Sequence, residues 1–167
     1  SIDQPTSDLA YEAARNAIAD AKIEIDQIDL VIVATITPDM AFPSTACILQ
    51  HRLGLGKVAC FDLEAACSGF LYSLDVADGM LSSGRYKCAL VIGAEKMSSI
   101  MDWQDRTTCV LFGDGAGAVI LERDDDAVDW GIRSSVLHAD GAHRDVLYVD
   151  GGPSSSAAVG HVRMEGN

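Results

Sequence analysis

No run of apolar residues in this chain approaches the roughly 18 that a membrane-spanning helix needs. The N-terminus lacks a basic stretch followed by an apolar one, so no signal peptide is visible. Basic residues are scarce: 12 Lys and Arg stand against 25 Asp and Glu, a net charge of −13. A nucleic-acid partner needs a basic surface to neutralise phosphates, so that class is excluded. No Cys-x-x-Cys pair occurs among the five cysteines, Cys47, Cys60, Cys67, Cys88 and Cys109. The number is odd and most of them fall inside apolar runs. That pattern argues for reduced thiols and a cytoplasmic location rather than a disulfide scaffold. The four histidines match no zinc-ligand spacing. His138 and His143 lie near Asp140 and Asp145, but a polar loop accounts for them, and no metal is expected. Gly113-Asp114-Gly115-Ala116-Gly117 lacks the Gly-Lys-Ser/Thr ending of a phosphate loop. Close backbone packing, with Asp114 bonding loop amides, explains it better.

What remains is an ordinary composition. The chain has 167 residues, 49% hydrophobic and 22% charged, enough for one domain with a sizeable core. Residues 7–22 read as a helix capped by Thr6 or Ser7, with Leu9, Ala13, Ala17 and Ala21 as its apolar stripe and Ala10, Ala14 and Ile18 widening it. Residues 30–36 form a continuous apolar run, hence a buried strand. Ser44 caps a helix that reaches Leu53. Strand 58–63, helix 68–83 and strand 88–94 follow. Alternation of this kind predicts an α/β fold with a mostly parallel sheet covered on both faces. Residues 97–108 form a polar loop with Trp103 as an anchor. Residues 116–122 and 132–139 read as an antiparallel hairpin toward the C-terminus, joined by 123–130. Residues 151–160 are rich in Gly, Ser and Ala and read as mobile.

One position carries most of the chemistry. Cys67 falls in Asp62-Leu63-Glu64-Ala65-Ala66-Cys67-Ser68-Gly69-Phe70, between an apolar strand and an amphipathic helix. Free N–H groups and the positive dipole end at a helix N-terminus favour an anion, so they favour thiolate over thiol. A small buried hydrophobe would also suit the position, and both readings stand on the residues alone.

The segment from Glu64 to Phe70 resembles the nucleophile region of the β-ketoacyl-acyl carrier protein synthase III family. Ala41-Phe42-Pro43-Ser44-Thr45-Ala46-Cys47 resembles a second family segment. Asp105-Arg106-Thr107-Thr108, running into Leu111-Phe112-Gly113-Asp114-Gly115, resembles a third. Leu137-His138-Ala139-Asp140-Gly141 and Met164-Glu165-Gly166-Asn167 extend the likeness over nearly the whole chain.

The resemblance implies a thiolase-like fold of two α/β halves, with residues 1–167 as a partial N-terminal half. On that basis a first, central strand and the C-terminal half are expected to be absent. It implies an acyltransferase that loads Cys67 from acyl-coenzyme A and condenses the acyl group with malonyl-acyl carrier protein, initiating fatty-acid synthesis. Coenzyme A thioester enters as substrate, and no cofactor is implied. It assigns Arg106 to coenzyme A, where the alternative is a solvated surface Arg. It assigns Phe42 to a homodimer interface and the neighbour's acyl pocket, where the alternative is an internal hydrophobic staple. Met97 and Phe112 would line the acyl chain's site, which does not conflict with a core role. The family's catalytic His and Asn motifs do not occur in this sequence, nor does the segment that helps bind coenzyme A. The resemblance assigns the basic carrier-docking patch mostly to the other half. The fragment alone is expected to be inactive. A polyketide-pathway acyltransferase and a non-catalytic dimerisation domain are the other two readings.

Overall fold

Leu30–Ala34 is five apolar residues in a row, and the fold uses both sides of it. The computed structural model describes residues 3–165 apart from 127, 129 and 157. Leu30–Ala34, β1, lies between β2 (Ala59–Leu63) and β3 (Cys88–Glu95) and runs parallel to both. β4 (Gly115–Glu122) pairs antiparallel with β3 and completes the order β2-β1-β3-β4.

Successive side chains on a strand point to opposite faces. Val31 and Val33 therefore enter one core with Leu90 and Ile92, while Leu30 and Ile32 enter another with Ala89 and Val91. Two helices, α1 (Thr6–Ala21) and α2 (Thr45–Arg52), cover the first core with Ala10, Ala14, Ala46 and Leu49. A third, α3 (Gly69–Ser82), covers the second with Ala77 and Leu81. The β1–α2–β2 and β2–α3–β3 connections travel in opposite directions along the sheet. Right-handed crossovers then put their helices on opposite faces. An α/β fold with a mostly parallel sheet is thus what the sequence predicted and what forms.

Several details differ from expectation. α1 buries Thr6, Ser7, Ala10 and Ala14, so its stripe is rotated from the one centred on Leu9 and Ala13. Thr6 and Ser7 lie inside the first turn rather than capping it. Asp39, from the loop after β1, accepts the Ser7 N–H at 2.9 Å. The antiparallel hairpin toward the C-terminus exists, but its strands are β5 (Leu147–Gly152) and β6 (Ala158–Met164). Residues 132–139 form no strand, and β4 pairs with β3. That segment lies along α3 instead: the Tyr72 hydroxyl donates to the His138 carbonyl at 3.3 Å, and Ser135 donates to Asp75. The described residues of 151–160 form the hairpin's turn and strand ends. The four strands of the main sheet pair without a gap. α3 is not enclosed within this chain: it buries Gly69, Ser73, Ala77 and Leu81, and leaves Leu71 60% exposed.

The β2–α2 joint is held by one carboxylate. Asp62 accepts the N–H groups of Thr45 and Ala46 at 2.7 and 2.8 Å. Ser44, the expected cap, accepts the Cys47 N–H at 3.2 Å. Three of the donors that a helix N-terminus leaves unpaired are therefore satisfied. Replacing Asp62 with Ala leaves two of them without a partner. Asp62→Ala should lower unfolding free energy by about 1–2 kcal/mol in urea titrations; a change below about 0.5 kcal/mol would show that Ser44 suffices.

Candidate active site

The carboxyl ends of β1, β2 and β3 and the start of β4 meet at one edge of the sheet. Ala34 stands opposite both Leu63 and Gly93, and Ala94 opposite Ala116. Ligands of open α/β sheets bind at this edge. The chain leaves β2 at Leu63 and must reverse into α3 within a few residues. Ala66 makes the reversal with φ of 44°, a left-handed value that costs a non-glycine residue about 1–3 kcal/mol. Residues Ala66–Ser68 form a single 3-10 turn that runs directly into α3. The Cys67 thiol is exposed at that turn.

Close packing fixes the turn. A Cβ built on Gly69 would stand 3.2 Å from the Ala34 Cβ, so glycine lets α3 begin directly over the end of β1. Glu95, at the end of β3, accepts the Ile36 N–H at 2.9 Å and the Thr37 hydroxyl at 2.6 Å. Asp114 accepts both the N–H and the hydroxyl of Ser98 at 2.7 Å. Burial raises the Asp114 carboxyl, but those two bonds and the Lys96 charge outweigh it, and the net shift is downward. Asp114 thus does hold loop amides, as the sequence suggested. The neighbouring glycines do not pack closely: a Cβ at Gly113, Gly115 or Gly117 would meet nothing within 4 Å. They leave space instead.

Two cavities open on Cys67. One, of about 310 Å³, is walled by Phe70, Gly93, Glu95 and the Gly115–Ala116–Gly117 backbone. The other, of about 640 Å³, is mostly apolar and includes Ile36, Met97, Ile100, Phe112, Val149 and Val162. The hairpin supplies its far wall. It is docked by the Val162 N–H on the Ile100 carbonyl at 2.8 Å and by Arg163 between Asp150, 2.9 Å, and Asp102, 3.4 Å. Glu64 is the carboxylate lining this cavity. The fold therefore brings three predicted residues together: Cys67, Met97 and Phe112.

Two other cysteines are held as neutral thiols. Burial first, then the neighbouring Cys47 and Asp62, push Cys60 from 9.0 to about 11. Burial, Glu122 and Asp29 do the same to Cys88, also to about 11. Both lie within strands, away from the turn.

The comparisons with known proteins agree with this geometry. The family model for 3-oxoacyl-[acyl-carrier-protein (ACP)] synthase III matches residues 61–141. A β-ketoacyl-[acyl-carrier-protein] synthase III of Novosphingobium aromaticivorans is 57% identical over 167 residues, 98% of this chain and 51% of its own length. The chain belongs to the β-ketoacyl-acyl carrier protein synthase III family. A crystal structure of 3-oxoacyl-[acyl-carrier-protein] synthase III from Aquifex aeolicus VF5 superposes with a TM-score of 0.88 at 44% identity, over 98% of this chain and 50% of that one. The priming β-ketosynthase of the R1128 polyketide biosynthetic pathway superposes equally, TM-score 0.88, at 31% identity, over 99% of this chain and 50% of that one. The fold is thiolase-like. The chain spans about half the length of the curated relatives it matches.

The remaining predicted residues, Arg106 and Phe42, lie outside the two cavities. Arg106 is exposed on the loop after the 3-10 turn Met97–Ser99, with no ion pair among the described residues. Its loop is organised by Asp105, which accepts the Thr107 N–H at 2.9 Å and the hydroxyls of Thr107 and Thr108 at 2.6 and 2.9 Å. These bonds, with Arg163 nearby, hold the Asp105 carboxyl below its usual range. Phe42 is 84% exposed, so it is not an internal staple. Trp103, expected as an anchor, is 67% exposed. Among the described residues no group of three or more His, Cys, Asp or Glu side chains is placed to hold a metal. Ile36, Ile100, Val149 and Val162 escaped the sequence reading. Alternating apolar residues flanking a Gly-Gly-Pro turn at Gly151 were the available signal for the hairpin pair.

The raised thiols make stability depend on pH. Folded Cys60 and Cys88 keep their protons up to about 11, whereas an unfolded thiol loses its own near 9.0. Their contribution is complete below pH 9.0 and is lost as pH rises through about 11. The urea midpoint should fall across that window, and Cys88→Ala should flatten part of the fall. An identical pH profile for Cys88→Ala would contradict the buried-thiol assignment.

Proposed function

We propose that this chain is the first half of a β-ketoacyl-acyl carrier protein synthase III. In the complete protein Cys67 takes an acyl group from acyl-coenzyme A and delivers it to malonyl-acyl carrier protein, the step that initiates fatty-acid synthesis. One observation carries the reading: an exposed thiol at a strand-to-helix turn opens on an apolar cavity of about 640 Å³. A nucleophile of this kind needs room for an apolar acyl chain and an approach for the thioester, and the two cavities supply them.

The Cys67 sulfur attacks the thioester carbonyl carbon. The carbon–sulfur bond to coenzyme A breaks, and coenzyme A leaves as the thiol with the proton that Cys67 gave up. The Cys67 N–H, at the start of the turn into α3, supports the developing oxyanion. The malonyl group then loses carbon dioxide, and the resulting carbanion attacks the Cys67 thioester and frees the sulfur. His and Asn side chains that polarise the malonyl thioester come from the other half: neither a His-Gln-Ala-Asn nor an Asn-Thr-Ser segment occurs in this sequence. Met97 and Phe112 flank the acyl chain. Arg106 meets the phosphates or adenine of coenzyme A with its exposed guanidinium, a group suited to both.

Exposed apolar residues support a larger assembly. Leu71, Val110, Leu111, Trp130 and Val136 are each more than half exposed. We assign such surface to the second half of the protein and to a homodimer partner, with Phe42 reaching the partner's acyl site. A net charge of −13 on this chain repels an acidic carrier protein, so docking belongs to the other half. The thiol pattern fits work in the cytoplasm. Priming of a polyketide pathway is the second reading, supported by the likeness to the R1128 ketosynthase.

Intact-mass measurement of the full-length protein after incubation with acetyl-coenzyme A tests the proposal. One acetyl adduct should form on Cys67, persist in Cys60→Ala, and fall by at least about a thousandfold in Cys67→Ala. An adduct that survives in Cys67→Ala names the wrong nucleophile; none in any form leaves a non-catalytic domain as the correct reading.

A further inference from the structure

A second pair of thiols lies outside the site. The sulfurs of Cys47, in the first turn of α2, and Cys60, the second residue of β2, are 3.3 Å apart. Both residues are half-buried and neither is in a disulfide. The contact is not incidental to the local fold. Asp62, two residues beyond Cys60, holds the Thr45 and Ala46 N–H groups, and Ser44 holds that of Cys47. The helix turn and the strand are thereby fixed against each other with their sulfurs facing. A disulfide bond is about 2.0 Å long, so closure asks each sulfur to move by well under an ångström, within reach of side-chain rotation.

We propose that Cys47 and Cys60 are a modification site, oxidised to an intramolecular disulfide by a low-molecular-weight disulfide such as oxidised glutathione. The Cys47 sulfur, as thiolate, attacks one sulfur of the oxidant. The oxidant's sulfur–sulfur bond breaks, one glutathione thiolate leaves, and a mixed disulfide forms on Cys47. Cys60 then gives its proton to solvent and attacks the Cys47 sulfur, and the second glutathione leaves. Two protein thiols lose two electrons and two protons; the oxidant gains them as two thiols. The order follows from the contact. Cys60 is pushed up to about 11 by its burial and by Cys47, so it stays protonated and acts second. Closure ties the first turn of α2, and the loop that carries Phe42, covalently to β2. This site does not rest on the acyl-transfer reading, and its test does not measure acyl transfer.

The test uses the protein carrying Cys67→Ser, so that the exposed thiol does not consume the oxidant. After incubation with oxidised glutathione, non-reducing peptide mapping should find residues 47 and 60 cross-linked, with the loss of two hydrogens. Dithiothreitol should reverse it. Adding Cys60→Ser should abolish the cross-link and leave a glutathione adduct on Cys47. A stable glutathione adduct on Cys47 while Cys60 is present, or cross-linking only after denaturation, would overturn the proposal. So would complete absence of reaction at both residues.

Discussion

The burial of β1 on both faces is the constraint from which the rest follows. A strand covered on both sides cannot alternate apolar and polar residues, so Leu30–Ala34 is apolar throughout and each residue is 5% exposed or less. Covering both faces forces one helix layer on each. The chain must then cross from β2 over β1 to β3, and the crossing begins at the turn that bears Cys67. The tight approach of Gly69 to Ala34 sets how abrupt that turn is. A left-handed Ala66 and an exposed thiol are its consequences. The position of Cys67 is therefore a product of sheet topology, not of a loop added to it.

The parallel sheet and its helices were legible because burial on both faces writes long apolar runs. β1, β2, β3 and β4 all lie within a residue or two of their expected limits. Two of the differences share a cause, partners that are remote in sequence. Ile132 and Val136 look like strand residues, but their segment lies along α3, joined to it through Tyr72 and Asp75. The first-turn N–H of Ser7 is held by Asp39, 32 positions further along the chain, and no local pattern points to it. At the site, Cys67, Met97 and Phe112 came from motif resemblance, and the fold brings them to one cavity. The far wall, Val149 and Val162, depends on the docking of β6 on Ile100, which sequence spacing does not encode.

Electrostatics divides the chain in a useful way. Carboxylates with structural duties, Asp62, Glu95, Asp105 and Asp114, are all spent on backbone amides or hydroxyls near the strand ends. Such bonds fix the loops around the cavity without bringing a cation into it. Arg106 is exposed next to Asp105 and makes no ion pair among the described residues. Glu64, on the cavity wall, has the opposite sign and disfavours an anionic acyl group there.

A crystal structure of the full-length protein with a hydrolysis-resistant acyl-coenzyme A analogue tests the central claim most directly. The account predicts the Cys67 sulfur within about 3.5 Å of the thioester carbonyl carbon. It also predicts the acyl chain between Ile36, Met97, Phe112 and Val162, and the coenzyme A phosphates toward Arg106. An acyl chain lodged elsewhere, with the Cys67 cavity filled by the protein's own side chains, would contradict it.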